Sequence, residues 1–310
     1  MPLADNLSRW YAHAQTALLL AKAKALALAG KEDLPNRVFG RVDDDRWLWY
    51  NTASSRRFAT FRNILPTLPD EETQIAFIGS AGDAALGEAF NTYVLIKNLA
   101  AKHGRPIGRT STILDFGCGW GRTLRFFMKD VPTAQLTGID VMPRAIELSK
   151  ANNPWCNFEL TTALPPTRFA DESFDLIYLY SVFSHLSEEA HLLWLAEFQR
   201  IMKPGGILIA TTWPRDYIER CERARSGDTR STHPRSLLAF TDTREALRRY
   251  AAGEFCHSPV GGGDALPGSF YGETCIPVEY VKNNWTRFFE FREFIASERG
   301  DQSVIVVRKR

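Results

Sequence analysis

The 310-residue chain has almost no net charge: 38 basic side chains stand against 36 acidic ones, which leaves +2 at neutral pH. A balance this close offers no phosphate-tracking face, so a strong electrostatic hold on nucleic acid or on a membrane surface is excluded. Basic pairs such as Arg56-Arg57 and Arg248-Arg249 are short and suit a solvated face. The five cysteines, at 118, 156, 221, 256 and 275, contain no Cys-x-x-Cys spacing. That argues against zinc, and no metal centre is expected. An odd set of widely spaced thiols suits a reducing cytosol, not a disulfide framework. No apolar run approaches the ~20 residues of a membrane span. Residues 17–21 are apolar, but Lys22 and Lys24 interrupt them. Signal-peptide layout, internal repeats and low-complexity segments are likewise missing. The opening residues read as an Ala-rich helix with Asp5 as N-cap and Gly30 as its stop.

What the chain does have is the stretch TILDFGCGWG at 112–121: an apolar run, an acid, then Gly117, Gly119 and Gly121 at alternate positions. It reads as a buried strand ending in a turn tight enough to need glycine, with a helix over 122–128. Such a turn lets a ligand approach the backbone closely. A dinucleotide fingerprint needs glycines at its first, third and sixth positions. Here the third glycine comes one residue early. Asp115 would repel a pyrophosphate but could hold an ammonium group, which S-adenosylmethionine (SAM) carries alongside its sulfonium. A dinucleotide, SAM and a purely structural turn all stay open at this point.

The surrounding pattern alternates. Strands are expected at 113–116, 135–139, 157–160, 174–178 and 206–211, and helices at 83–102, 122–128, 143–152 and 188–202. Alternation of this kind implies a parallel sheet with helices on both faces, with ligand beyond the carboxyl ends of the strands. Residues 31–75 read as irregular, a small cap on the core. After Thr212 the alternation stops. Residues 213–277 read as a lid insertion with one helix near 236–250, too long for a simple connection. A helix at 278–284 and two closing strands at 288–295 and 302–307 follow. The expected division is an N-terminal helical and irregular cap, 1–75, and a catalytic domain, 76–310.

Further chemistry lies downstream. Asp140 ends the second strand in LTGID, where a carboxylate can accept both hydroxyls of a ribose or cap the following helix. SFDLIYLYSVFSHL at 173–186 gives the fourth strand, opened by Asp175, and a loop above the ligand. KPGG at 203–206 reads as a helix-stop turn into the fifth strand, with Lys203 and Pro204 structural.

DFGCGWG, LTGID, SFDLIY and IMKPGGILI, in this order and spacing, resemble the class I, Rossmann-like SAM-dependent methyltransferases over roughly 80–212. The resemblance implies an α/β, doubly wound seven-stranded mostly parallel sheet with the last strand antiparallel, here with an N-terminal helical extension and a lid insertion after strand 5. It implies SAM as cofactor. Asp115, Gly117, Cys118, Gly119 and Gly121 would face its methionine part and Asp140 its ribose. Val141, Ala163 and Leu164 would flank the adenine, and Ser181 would sit near the methionine end.

The methyl acceptor is less legible. His185 is the best-placed general base, since imidazole titrates near neutrality; the alternative is local packing. Tyr271 and Glu273 in FYGETCIP follow Gly261–Gly263 and could close over the acceptor as a hinged lid. Trp213 and Arg215 follow the fifth strand and could line the acceptor site. His233 and His257, on expected loops, are minor candidates, and Trp120 reads as a cover for the glycine turn. The SVFSHL loop at 181–186 and the YGE segment resemble those of bacterial methyltransferases acting on glycans and secondary metabolites. The expected activity is therefore SAM-dependent methylation of an oxygen, less readily a nitrogen, on a small molecule or sugar in the cytoplasm. A nucleic-acid or protein methyltransferase and a non-catalytic SAM-binding subunit are the alternatives, with an NAD dehydrogenase as a residual one. Where base methylation would need an Asn/Asp-Pro-Pro-aromatic tetrad the chain reads YSVF, so no nucleic-acid partner is expected. Oligomeric state is left open, a homo-oligomer included.

Overall fold

Short Val/Ile/Leu-rich runs become strands when both faces can be covered. In the computed structural model, which describes residues 3–29, 33–54, 61, 63–227, 234–262, 266–297 and 302–310, nine such runs form strands. They are β1 Ile113–Phe116, β2 Leu136–Asp140, β3 Asn157–Leu160, β4 Phe174–Leu179, β5 Met202–Thr212, β6 Cys256–Ser258, β7 Glu273–Cys275, β8 Glu290–Ile295 and β9 Ser303–Arg308. Seven of them make one sheet in the order β3-β2-β1-β4-β5-β9-β8, and β6 and β7 pair separately. β1 to β5 are mutually parallel. β9, last in the chain, is inserted antiparallel to both β5 and β8. The fold is the expected α/β one, with a seven-stranded, mostly parallel sheet.

Alternate strand residues reach opposite faces. Ile113, Leu176, Ile209 and Val306 bury against one layer, which includes the N-terminal segment. Leu114, Ile177, Leu208 and Ile305 bury against the other, which includes Trp194 and Phe198. The helices are α1 Leu3–Leu28, α2 Leu34–Phe39, α3 Asp44–Trp49, α4 Glu71–Ile78, α5 Gly82–Lys102, α6 Pro143–Asn152, α7 Glu188–Ile201, α8 Arg215–Arg225, α9 Pro234–Leu238, α10 Thr243–Ala251 and α11 Val278–Asn284. None of the described helices is long and apolar enough to cross a membrane.

Five local readings need correction. The segment 31–75 is not irregular: it holds α2, α3, a π-helical turn at Tyr50–Ser54 and α4. Asp43 and Asp70 cap α3 and α4 by accepting the amides of Arg46 and Thr73 at 2.9 and 2.8 Å. Burial of Phe39, Trp47 and Tyr50 then joins these short helices to the sheet's core, and the fully buried Arg125 donates to the Pro66 carbonyl at 2.6 Å and the Thr67 carbonyl at 3.0 Å. The expected helix over 122–128 is instead a 3-10 segment, Leu124–Lys129, two residues beyond Gly121 at φ +77°. The helix expected near 236–250 is two, α9 and α10, broken where Phe240 turns to φ +48° and Asp242 caps α10. β5 starts at Met202, so Lys203, Pro204, Gly205 and Gly206 lie within it, Gly205 taking φ +73°. α1 begins at Leu3, which leaves Asp5 inside the helix and not at its cap; Gly30, its expected stop, lies outside the described residues.

Candidate active site

The glycine turn sits at the carboxyl end of β1. Gly117 and Gly121 both take positive φ, +75° and +77°, and both lack room for a side chain. A Cβ on Gly117 would stand 2.4 Å from Val182 Cγ2; one on Gly121 would stand 2.8 Å from Asn153 Nδ2. Gly119, at φ +55°, differs: its Cβ would meet nothing closer than Phe77 at 4.0 Å, so this residue faces open space. α6 fixes the turn from behind, with Ser149 Oγ donating to the Gly119 carbonyl at 2.8 Å and Asn153 Nδ2 to the Trp120 carbonyl at 3.2 Å. Trp120 is buried against the turn. Cys118 is buried too, and burial, with Asp115 and Asp140 nearby, pushes its thiol well above the usual range. A thiol held this way carries little thiolate near neutral pH.

Asp115 is only 4% exposed, yet no donor among the described residues hydrogen-bonds its carboxylate. Tyr178 is its register partner on β4 and turns its hydroxyl toward it without reaching hydrogen-bond geometry. Burial raises the carboxyl to about 7; Asp140 adds to this, while Tyr178 and Arg122 oppose it. A buried carboxylate left this way is suited to a cationic ligand. Asp140, at the end of β2, accepts the Gly119 amide at 2.9 Å through Oδ2 and the Met142 amide at 2.9 Å through Oδ1. It thus ties the glycine turn to the start of α6, and burial raises its carboxyl against the pull of those amides. Val141 is half-buried beside it. Across β3, the Ala163 carbonyl accepts Trp194 Nε1 at 3.0 Å and Leu164 is exposed.

Ser181 follows β4 with φ +61°, a strained value for a residue with a side chain. Its amide donates to Thr211 Oγ1 at 2.8 Å, and its hydroxyl accepts Gln302 Nε2 at 2.8 Å. Thr211 in turn donates to Gln302 Oε1. Sequence reasoning missed Gln302, because nothing local links it to a serine 121 residues away.

The loop after β4 carries His185 into contact with the late segment 270–275. Ser187 donates to the Phe270 carbonyl at 2.8 Å, Gly272 to that of His185 at 2.7 Å, and Thr274 to that of Ser184 at 2.7 Å. β7 also bridges Trp213 through Cys275. The segment is therefore stitched to the loop by backbone hydrogen bonds, and Tyr217, Ile218, Cys221, Phe240, Cys256 and Cys275 give it a small core. The imidazole of His185 lies 15° from parallel to the Tyr271 ring, with centroids 5.1 Å apart. Its Nδ1 is 2.9 Å from the Gly272 carbonyl and 3.5 Å from Glu273 Oε2. Glu273 is 1% exposed and accepts Trp213 Nε1 at 2.5 Å. Burial works to raise its carboxyl, but His185, Trp213 and Tyr217 together hold it below its ordinary value. Trp213 stacks on Tyr217 at 4.3 Å.

His185, Trp213, Tyr271 and Glu273 are thus brought together. Arg215 is not: it starts α8 pointing outward, exposed and paired with Glu219 at 2.6 Å, because the helical turn carries it away from Trp213. His257 lies on β6 and not on a loop; Nδ1 meets Thr274 Oγ1 at 2.8 Å, and burial lowers its pKa to about 4. His233 and Gly263 lie outside the described residues.

Residues 113–206 match the family model described as a methyltransferase domain. The chain is 31% identical over 106 residues to 2-methyl-6-phytyl-1,4-hydroquinone methyltransferase of Synechocystis sp., which covers 33% of this chain and 32% of that protein. It is 26% identical over 202 residues to malonyl-[acyl-carrier protein] O-methyltransferase of Hahella chejuensis, covering 60% and 69%. Together with the yeast and Azoarcus relatives, the first four curated relatives are spanned over 32%, 69%, 59% and 45% of their length. Among solved structures, an S-adenosylmethionine dependent methyltransferase from Mesorhizobium loti aligns with 68% of this chain and 96% of its own, at 13% identity and a TM-score of 0.45. Over residues 113–206 the chain is thus similar to a methyltransferase domain, and it resembles curated methyltransferases over part of their length.

Proposed function

We propose that the chain transfers the methyl group of SAM to an oxygen of a small molecule or sugar, with nitrogen as the less favoured acceptor atom and His185 as general base. The observation that carries this reading is Asp115: a carboxylate at the glycine turn, nearly fully buried, approached by the Tyr178 hydroxyl but paired with no cation among the described residues, on the same sheet edge as the His185 loop. The residues fit the cofactor. Asp115 would take the ammonium, the open side of Gly119 would admit the methionine chain, and Asp140 would accept the ribose hydroxyls. Val141, Ala163 and Leu164 would flank the adenine, and Ser181 would face the methionine end. When bound, SAM supplies an activated methyl whose C–S bond breaks with its electron pair going to sulfur.

The protein's own work is to align, to exclude water and to move one proton. His185 would take the acceptor's hydroxyl proton on Nε2 while the oxygen pair forms the new C–O bond. Tyr271 and Trp213 would wall the acceptor. Relatives named as O-methyltransferases support oxygen over nitrogen. The close balance of charge supports a small acceptor over nucleic acid.

The test is transfer of labelled methyl from SAM by purified protein to a panel of monosaccharides, hydroxy acids and phenols. Label is expected in an extractable product, and His185→Ala should lose about 10²-fold or more. Full activity in His185→Ala removes it as the base. SAM binding by calorimetry with no transfer to any acceptor favours a non-catalytic subunit instead.

A further inference from the structure

We infer that the three consecutive residues Tyr271, Gly272 and Glu273 form a clamp that fixes the His185 imidazole with its proton on Nδ1, leaving Nε2 as the basic nitrogen. This rests on the proposed role of His185 but makes a separate claim about how the ring is held. Each residue acts on a different side of it. Tyr271 stacks on the face at 5.1 Å. The Gly272 carbonyl lies 2.9 Å from Nδ1, and Glu273 Oε2 lies 3.5 Å from the same atom. Both groups are acceptors, and neither can donate while Glu273 is ionised. Its carboxyl is held below its ordinary value, so it is ionised near neutral pH. Nδ1 must then carry the hydrogen, and in the neutral ring Nε2 keeps the lone pair. No partner among the described residues occupies Nε2.

The clamp is itself rigidly held. Gly272 donates its amide to the His185 carbonyl at 2.7 Å, so the two residues are joined by bonds in both directions. A Cβ on Gly272 would stand 2.0 Å from the Ser258 carbonyl oxygen, so the strand approaches β6 as only glycine permits. Glu273 is fixed on its far side by Trp213 Nε1 at 2.5 Å. Tyr271 and Glu273 are therefore positioning residues, and the carboxylate stabilises the imidazolium that forms when Nε2 accepts a proton. A mobile lid would lose this geometry each time it opened. The backbone ladder from Phe270 to Thr274 marks this part of the segment as a fixed wall.

The decisive measurement needs no acceptor. Protein labelled with ¹⁵N-histidine and saturated with S-adenosylhomocysteine is recorded at pH 8 by long-range ¹H–¹⁵N correlation, with His185 assigned by its absence in His185→Gln. The Nδ1–H tautomer is expected; an Nε2–H tautomer overturns the inference. In Glu273→Gln, with circular dichroism and S-adenosylhomocysteine affinity matching wild type, the tautomer should become mixed. With whichever panel acceptor the wild type methylates, that variant should lose about 10²-fold in kcat while KM stays within about threefold. Unchanged tautomer and kcat in Glu273→Gln refute the clamp. If no acceptor is methylated but the tautomer behaves as described, the functional reading fails and the clamp stands.

Discussion

If Asp115 holds the ammonium of SAM, as proposed, the affinity for SAM should depend on pH. Its carboxyl sits at about 7, chiefly through burial, whereas an ordinary aspartate ionises near ~4. Only the ionised form attracts an ammonium group, so ligand binding competes with a proton. The fraction ionised is about one half at pH 7 and about 3% at pH 5.5, which makes the apparent affinity fall about 15-fold over that interval, or ~1.6 kcal/mol. The ligand's α-amino group stays charged throughout this range, so the trend belongs to the protein. Titration calorimetry with S-adenosylhomocysteine at pH 5.5, 6, 6.5 and 7 measures the slope. At pH 7, buffers of different ionisation enthalpy should reveal release of about half a proton per site. Asp115→Asn removes the charge, and the lost charged hydrogen bond should weaken binding by ~2 kcal/mol and flatten the pH dependence. Wild-type affinity that is constant from pH 5.5 to 7, or an Asp115→Asn variant that keeps both the affinity and the slope, would refute the assignment of Asp115 to the ammonium.

Three further outcomes are expected. His191 is fully buried among Phe183, Phe255 and Trp285 and titrates near 3. Burial is the main cause, so the unfolded chain binds a proton that the folded one refuses, and stability is lost as pH falls below ~6.5. Urea unfolding should show His191→Phe losing about 2 kcal/mol less than wild type between pH 7 and 5, a difference in which the opposing contribution of Asp115 cancels; parallel losses would contradict it. Gly117→Ala forces a Cβ to 2.4 Å from Val182 Cγ2 at φ +75°. It should cost ~2 kcal/mol or more and abolish SAM binding, and Val182→Ala should restore only part, because the backbone strain remains. Asp175 is buried and lies near 2, since burial is outweighed by Lys203, Thr112 and Arg105. Its ~2 kcal/mol is present above pH ~4 and fades as pH falls toward 2, so Asp175→Asn should destabilise at pH 7 and much less at pH 2.5 in guanidinium titrations.

The parallel core was legible because its signals are local. Apolar runs of strand length, Gly117 and Gly121 in a tight turn, and acids at the ends of β1 and β2 each announce themselves within ten residues. The Ala-rich α1 was legible, but the short helices α2, α3 and α4 were not, because prolines at 35, 66 and 69 mask helices of which Asp43 and Asp70 cap two. The break at Phe240 was hidden for a different reason. At this break Arg225 donates to the carbonyls of Ala239 and Phe240 at 2.6 and 2.9 Å, a contact no helical periodicity encodes.

The same division runs through the site. Sequence alone determined that Asp115, the glycines and Asp140 lie together, since consecutive strands of a parallel sheet bring their carboxyl ends to one edge. It also singled out His185, Trp213, Tyr271 and Glu273 as residue types able to handle an acceptor. Only the tertiary structure decided that these four converge and that Arg215 turns away. Only it showed Gln302 bracing Ser181, and Glu273 facing the imidazole and the indole. Those pairings join residues 60 to 121 positions apart. They depend on how β7 bridges the end of β5 and how β9 joins the sheet, a path set by long-range packing and hydrogen bonding, which no local pattern in the chain records.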